Sequence, residues 1–309
     1  MAALPPDVLA WMRSGSFHDV GGRQIFVIDT DPAGTHGDTA LILLHGFPGS
    51  SYDWHAVLPL LTSAIRVVTL DLLGFGLSDK PPDASYGLSG QADLVETIAE
   101  RLGVRSCVIA AHDMGDTVAA ELLHRRNHNQ LRGLQITTCV LTNGSIFIDL
   151  AQLSSGQLTL LDLPDEPLAI ALPADLLRAG LASTFAGDRP APAQEIEAMT
   201  ALVAHNGGDL LLPRLIRYVE ERRQRQARWT AALIDYDGPL IAVWGEQDPI
   251  AVVAMTDRLQ SLRPATEVVR WSDVGHWPSL EAPQRLAGLI LARAVTATSA
   301  AESGRPGDG

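Results

Sequence analysis

Residues 106–126 read SCVIAAHDMGDTVAAELLHRR. The first part is a continuous apolar run, the mark of a strand buried on both faces. From Met114 to Arg126 the pattern is helical. At the junction stands Ala111-His112-Asp113-Met114-Gly115, where small residues flank Asp113 two positions away on either side. A sharp strand-to-helix turn requires that spacing. The central residue takes a strained backbone conformation, and its neighbours two away must be small for strand and helix to approach. Its side chain then projects out of the sheet, and the N–H that follows can bond a developing anion. An aspartate between strand and helix is also an ordinary N-cap. The rest of the chain decides between the two readings.

Outward from this turn, apolar runs at 39–46, 65–71 and 134–144 have the same strand character. Helical stretches are expected at Tyr52–Leu61, Ser89–Leu102 and Met114–Arg126, with Gly103 closing the second. SFHDV and RQIFVIDT, either side of Gly21-Gly22, read as a hairpin. From about Ile146 to Tyr236 the strand signal vanishes into four or five short helices broken by prolines. Strands then resume at 239–245 and 266–275, with helices near 251–262 and 281–294. Alternating strands and helices mean a parallel sheet with covering helices. The expected architecture is α/β: a mostly parallel eight-stranded sheet formed by residues 1–145 and 237–296, with a helical lid at 146–236. Residues 297–309, small, polar and Gly-rich, are expected to be a disordered tail.

Composition narrows the function. Of 309 residues, 46% are apolar, ample for a core, and 23 Lys and Arg against 36 Asp and Glu leave a net charge of −13. That balance argues against a nucleic-acid partner, which needs a basic patch. No run approaches the length of a membrane span, and the N-terminus lacks the basic region of a signal peptide. Cys107 and Cys139 lie in apolar runs, as buried thiols of a cytoplasmic protein would.

A carboxylate at the elbow implies particular chemistry. Asp113 needs no base to activate it and suits displacement at an sp³ carbon, giving an alkyl ester that water must hydrolyse. Three companions fit that scheme. His45-Gly46-Phe47-Pro48-Gly49 follows an earlier strand, and the Phe47 and Met114 N–H groups would form an oxyanion hole. His45 itself reads as structural. His276, in Gly275-His276-Trp277-Pro278 after the last strand, is placed as the base. Asp248, in Gly245-Glu246-Gln247-Asp248-Pro249, would hold the His276 tautomer. Glu246 is its neighbouring rival, and Asn143, after another strand, carries no charge. The order nucleophile, acid, base is that of α/β hydrolases.

These segments, together with DLLGFGLSDKP (71–81), resemble the α/β-hydrolase superfamily in its branch with an aspartate nucleophile, which holds epoxide hydrolases and haloalkane dehalogenases. TNGSIFI (142–148) and the Tyr218–Trp229 run are similar to the mesoderm-specific transcript group within it. The resemblance implies that Asp113, Asp248 and His276 are catalytic and that Tyr218 protonates an epoxide oxygen. It also implies two lid tyrosines, whereas only Tyr218 lies well inside the lid and Tyr236 falls at its exit. Met114 stands where both enzyme groups commonly carry Trp. Tyr218 can alternatively be a packing residue. Arg222, Arg223, Arg225 and Arg228 read as a solvated helix face without a partner.

The expected function is opening of epoxides to diols, with no cofactor or metal and a small apolar substrate; a homodimer is compatible with the sequence. A haloalkane dehalogenase using the same nucleophile is the enzymatic alternative, and a non-catalytic ligand-binding protein the other. An ester hydrolase would carry Ser in place of Asp113.

Overall fold

The computed structural model describes residues 4–35 and 37–303, with side chains to 294. Helix α1 (Pro6–Arg13) precedes the hairpin β1 (Ser16–Val20) and β2 (Arg23–Asp29). There follow β3 (Thr39–Leu44), a short 3₁₀ turn at Ser51–Trp54, α2 (Leu58–Leu61), β4 (Val67–Leu70), α3 (Leu88–Arg101), β5 (Ser106–His112), α4 (Met114–Asn127) and β6 (Gln135–Thr142). Between β6 and the next strand every described element is helical: α5 (Ser155–Asp162), α6 (Ala174–Ala182), α7 (Ala193–Ala204), α8 (Leu212–Leu215) and α9 (Tyr218–Asp235), with a 3₁₀ stretch after α7. The chain closes with β7 (Leu240–Gly245), α10 (Ala254–Leu262), β8 (Glu267–Trp271), α11 (Pro278–Glu281) and α12 (Pro283–Ser303).

The eight strands form one sheet in the order β1-β2-β4-β3-β5-β6-β7-β8. Pairing is parallel from β4 across to β8, and antiparallel where β2 meets β1 and β4. β3 shows how the sheet is buried on both faces. Ala40, Ile42 and Leu44 pack into a core with α3, α4 and α9, while Leu41 and Leu43 pack against α2 and α12. This is the period-2 alternation of a strand with a hydrophobic layer on each side. Cys107 on β5 and Cys139 on β6 are buried free thiols within the first of these layers.

The register aligns the strand ends that matter. Leu44, Ala111, Leu141 and Ala242 lie in one row across β3, β5, β6 and β7. The loops carrying Phe47, Asp113, Asn143 and Asp248 therefore leave the sheet from the same edge, its carboxyl end.

Three expectations change. The helix expected over Tyr52–Leu61 is split into the 3₁₀ turn and α2, and the last helix is split by Ala282 into α11 and α12. Helix α12 continues to Ser303, past position 297 where the tail was expected to begin. The Ala-rich run there has high helix propensity, which outweighs its small, polar character. Residues 304–309 lie outside the described residues.

Candidate active site

Asp113 links β5 to α4 with φ 49° and ψ −111°, a conformation that costs a non-glycine residue of order 1–3 kcal/mol. Its surroundings hold it there. A Cβ at Gly115 would come within 2.7 Å of the His45 carbonyl oxygen, and one at Gly46 would strike Asp113 itself. The backbone N–H of Phe47 donates to Asp113 Oδ2 at 2.9 Å. Met114 opens α4, so its N–H has no partner within the helix. The Phe47 N–H thus reaches the carboxylate, and the Met114 N–H belongs to the residue that follows Asp113.

His45 braces this arrangement. Its Nδ1 hydrogen-bonds the Gly46 carbonyl at 2.9 Å, and its Nε2 accepts from the Leu72 N–H at 3.0 Å. Those contacts define a neutral imidazole protonated on Nδ1, and burial pushes its pKa down. The segment after β4 closes on Asp71, which accepts from the N–H groups of Ser51 at 2.7 Å and Leu77 at 2.6 Å.

His276 and Asp248 are buried and bonded to each other, Nδ1 to Oδ2 at 2.7 Å. That contact leaves Nε2 as the nitrogen able to take a proton. Asp248 Oδ1 accepts from the N–H groups of Ile250 (2.7 Å) and Ala251 (3.0 Å). Glu246, the rival acid, is exposed. Burial pushes the imidazole's pKa down, but the charge and hydrogen bond of Asp248, then Asp113 and Glu281, raise it to about 9. Asp113 is therefore close enough to act electrostatically on His276.

Asn143, noted in the sequence only as uncharged, proves to be a bracket. Its Nδ2 donates to Asp248 Oδ2 at 2.8 Å, and its Oδ1 accepts from the Gly245 N–H at 2.8 Å. An aspartate here would set a second charge against Asp248; the amide supplies a donor.

Tyr218 begins α9, is buried, and packs its ring 5.5 Å from that of Phe47. Burial and the Asp113 charge push its hydroxyl pKa up, while Arg222 and a hydrogen bond with Gln157 of α5 oppose them. Tyr236 is also buried, but its hydroxyl lies 3.5 Å from the Ile136 carbonyl, at the opposite end of β6 from Asn143.

The arginine run is not a solvated face. Arg223 and Arg225 are exposed, but Arg222 is buried, donating through Nε to Thr117 Oγ1 (2.7 Å) and through Nη2 to the Asp113 carbonyl (2.8 Å). Arg228 donates to both oxygens of buried Glu121, at 2.8 and 2.9 Å, and the Trp229 indole joins it at 3.0 Å. Tyr218, Arg222, Gln226, Trp229 and Leu233 recur at helical spacing along α9, which packs on α4 and, through Gln226, bonds the segment after β6. Polarity concealed that stripe. Among the described residues no group of three or more His, Cys, Asp or Glu is arranged to hold a metal, and no helix is long and apolar enough to cross a membrane.

Comparison with known proteins extends these observations. LipZ of Mycobacterium tuberculosis is 38% identical over 292 residues, covering 94% of this chain and 99% of its own. The mesoderm-specific transcript protein of Mus musculus is 33% identical over 288 residues, covering 91% and 85%. The crystal structure of haloalkane dehalogenase DbeA from Bradyrhizobium elkani superposes with a TM-score of 0.75 at 22% identity, over 93% of this chain and 99% of that one. The model of the alpha/beta hydrolase fold family matches residues 39–283. Sheet order, elbow and sequence similarity agree, and the chain belongs to the α/β hydrolase fold family.

Proposed function

We propose that the protein opens epoxides to diols through a covalent ester on Asp113. The observation that carries the reading is the division of labour at the Asp113 carboxylate. Oδ2 is held by the Phe47 N–H, while Oδ1 is the oxygen nearer α9, the helix that carries Tyr218. Oδ1 attacks one epoxide carbon and the C–O bond breaks. The electron pair stays on the epoxide oxygen, which takes the Tyr218 proton. Water then adds to the Asp113 carbonyl carbon, giving its proton to His276 Nε2, and the oxyanion is met by the Phe47 and Met114 N–H groups. The bond from the carbonyl carbon to the ester oxygen breaks, that oxygen takes the remaining proton of the added water, the diol leaves with Asp113 again a carboxylate, and the proton on His276 returns to Tyr218 through solvent.

The electrostatics support this order. The Asp113 charge is one of the influences holding the proton on His276. Conversion of Asp113 to a neutral ester removes that influence and leaves Asp248 to hold the proton, which shifts the imidazole toward the free base as water has to be activated. A small apolar substrate is consistent with the apolar side chains next to Asp113, where Phe47 packs on the Tyr218 ring and Met114 is buried. The remoteness of Tyr236 leaves one tyrosine where an epoxide hydrolase commonly has two, and this favours dehalogenation as the second reading.

His276→Gln is the test. Mass spectrometry after incubation with an epoxide should show the alkyl group retained on the peptide containing Asp113, since ester hydrolysis needs the base. An unmodified peptide, from a substrate that the wild type consumes, would remove the two-step scheme. Scoring diol against halide over a panel of epoxides and haloalkanes separates the two substrate classes.

A further inference from the structure

Arg222 is the cation nearest Asp113, and the scheme above gives it no part. Its Nε and Nη2 are engaged by Thr117 and the Asp113 carbonyl. Nη1 makes no hydrogen bond among the described residues and stands 4.0 Å from Asp113 Oδ1, the oxygen assigned to attack. The guanidinium carbon lies 4.8 Å from the centre of the Tyr218 ring. The other carboxyl near it, Asp116, is fully buried, accepts from the Thr142 N–H at 3.3 Å and makes no ion pair with Arg222 among the described residues. Glu121 is taken by Arg125, Arg228 and Trp229. The charge that compensates Arg222 is therefore that of Asp113.

Displacement removes that compensation. As Oδ1 bonds to carbon, the carboxylate becomes a neutral ester, and a buried cation without a partner is costly. The same step creates an anion on the departing atom, on the far side of the attacked carbon from Oδ1. An epoxide oxygen stays bonded to the carbon next to the one attacked, so it remains within reach of a guanidinium beside the attacking oxygen. Resting on the reading above, we propose that Arg222 is a further catalytic residue, which pairs with the Asp113 carboxylate before displacement and with the departing anion after it. Arginine cannot be the acid, because it does not give up a proton near neutral pH. It stabilises the charge whether that sits on the alkoxide, on the tyrosinate once Tyr218 has given its proton, or on a halide. Loss of the Asp113 charge also removes one of the influences raising the Tyr218 pKa and leaves Arg222 to lower it.

The alternative is that Arg222 merely ties α9 to the elbow. Asp113→Asn imitates the uncharged ester and separates the two. Trp277 is buried, with its ring 5.1 Å from that of His276, so its fluorescence reports on the site and is shielded from random quencher collisions. At constant ionic strength, iodide should quench Asp113→Asn saturably and bind about tenfold or more weakly to the wild type, whose carboxylate already occupies Arg222. Adding Arg222→Gln to Asp113→Asn should abolish the saturable binding. Adding Thr117→Val instead, which cuts a tether but keeps the charge, should leave it in place. In the His276→Gln background, Arg222→Gln should slow alkylation of Asp113 by about 100-fold. Iodide affinity unchanged by Arg222→Gln, no saturable binding to Asp113→Asn, or alkylation at an undiminished rate would each overturn the proposal. Should no epoxide or haloalkane modify Asp113 in any variant, the function proposed above falls, while the iodide titration still decides the role of Arg222.

Discussion

Helix α9 and the segment running through α5 and α6 belong to one helical insertion, yet they are held in different ways. Helix α9 is fastened to α4 by buried polar contacts along its length: Arg222 to Thr117 and the Asp113 carbonyl, Arg228 and Trp229 to Glu121, and the Ala232 carbonyl to Asn127. The α5–α6 segment instead turns large apolar side chains to solvent, with Leu158 47%, Ile170 83% and Leu176 64% exposed. Just beyond α6 the chain is fixed again: the Thr184 carbonyl accepts from the His276 N–H at 2.9 Å, and Thr184 Oγ1 from the Trp277 indole at 2.7 Å. The insertion thus clasps the loop of the candidate nucleophile at one point and that of the candidate base at another, and the weakly held segment precedes both in the chain. A buried, bonded network makes a rigid clamp, whereas a helix with an exposed apolar face has little to lose by moving.

The sharpest test of α9 as part of the chemistry is Tyr218→Phe. Epoxide turnover should fall by about 10²–10⁴-fold with the fold intact, and any dehalogenation should be much less affected. Unchanged diol formation would reduce Tyr218 to packing and α9 to a clamp. Removing a buried anion from the clamp comes next. Glu121→Gln should cost about 3–5 kcal/mol in chemical denaturation, because Arg125 and Arg228 lose their shared partner. Amide exchange should quicken in α9 and not in α5; the reverse would break the comparison.

The contact beyond α6 should respond to pH. The His276 pKa is raised from 6.5 to about 9 in the folded protein. Its stabilising contribution is therefore complete below about 6.5 and is lost as pH climbs through about 9. That difference is worth about 3 kcal/mol and should be missing from His276→Gln. Exchange at Thr184–Gly187 should rise over this pH range while α9 stays protected. The smallest effect belongs to the loose segment: Ile170→Ser should change stability by no more than about 0.5 kcal/mol, since a side chain 83% exposed has little burial to lose.

The difference between the two regions also explains what could be read in the sequence. Asp113, Phe47, Asp248 and His276 announce themselves locally, each within three residues of a glycine after an apolar strand, and sheet register does the rest. Arg222 does not. It is one of four arginines between residues 222 and 228, and its burial depends on Thr117 and the elbow, about a hundred residues away. The spacing Tyr218, Arg222, Gln226, Trp229, Leu233 was available as a signal, but a stripe that mixes aromatic, cationic and amide side chains does not stand out as a buried face. Asn143 was hidden for a related reason: its use lies in hydrogen bonds to Asp248 and Gly245 across the sheet, and an uncharged amide says little by itself.

The two cysteines matter to a protein that would handle electrophiles. Cys107 and Cys139 are sealed inside the sheet's core layer, and burial pushes both thiols up, away from the reactive thiolate. A reactive thiol in reach of an alkylating substrate would end as a permanent thioether, which no hydrolytic step reverses. An ester on Asp113 can be undone by water. Under the proposed chemistry, sulfur placed in the core layer leaves attack to the carboxylate, whose modification is temporary, and would protect the protein from being consumed by electrophilic substrates.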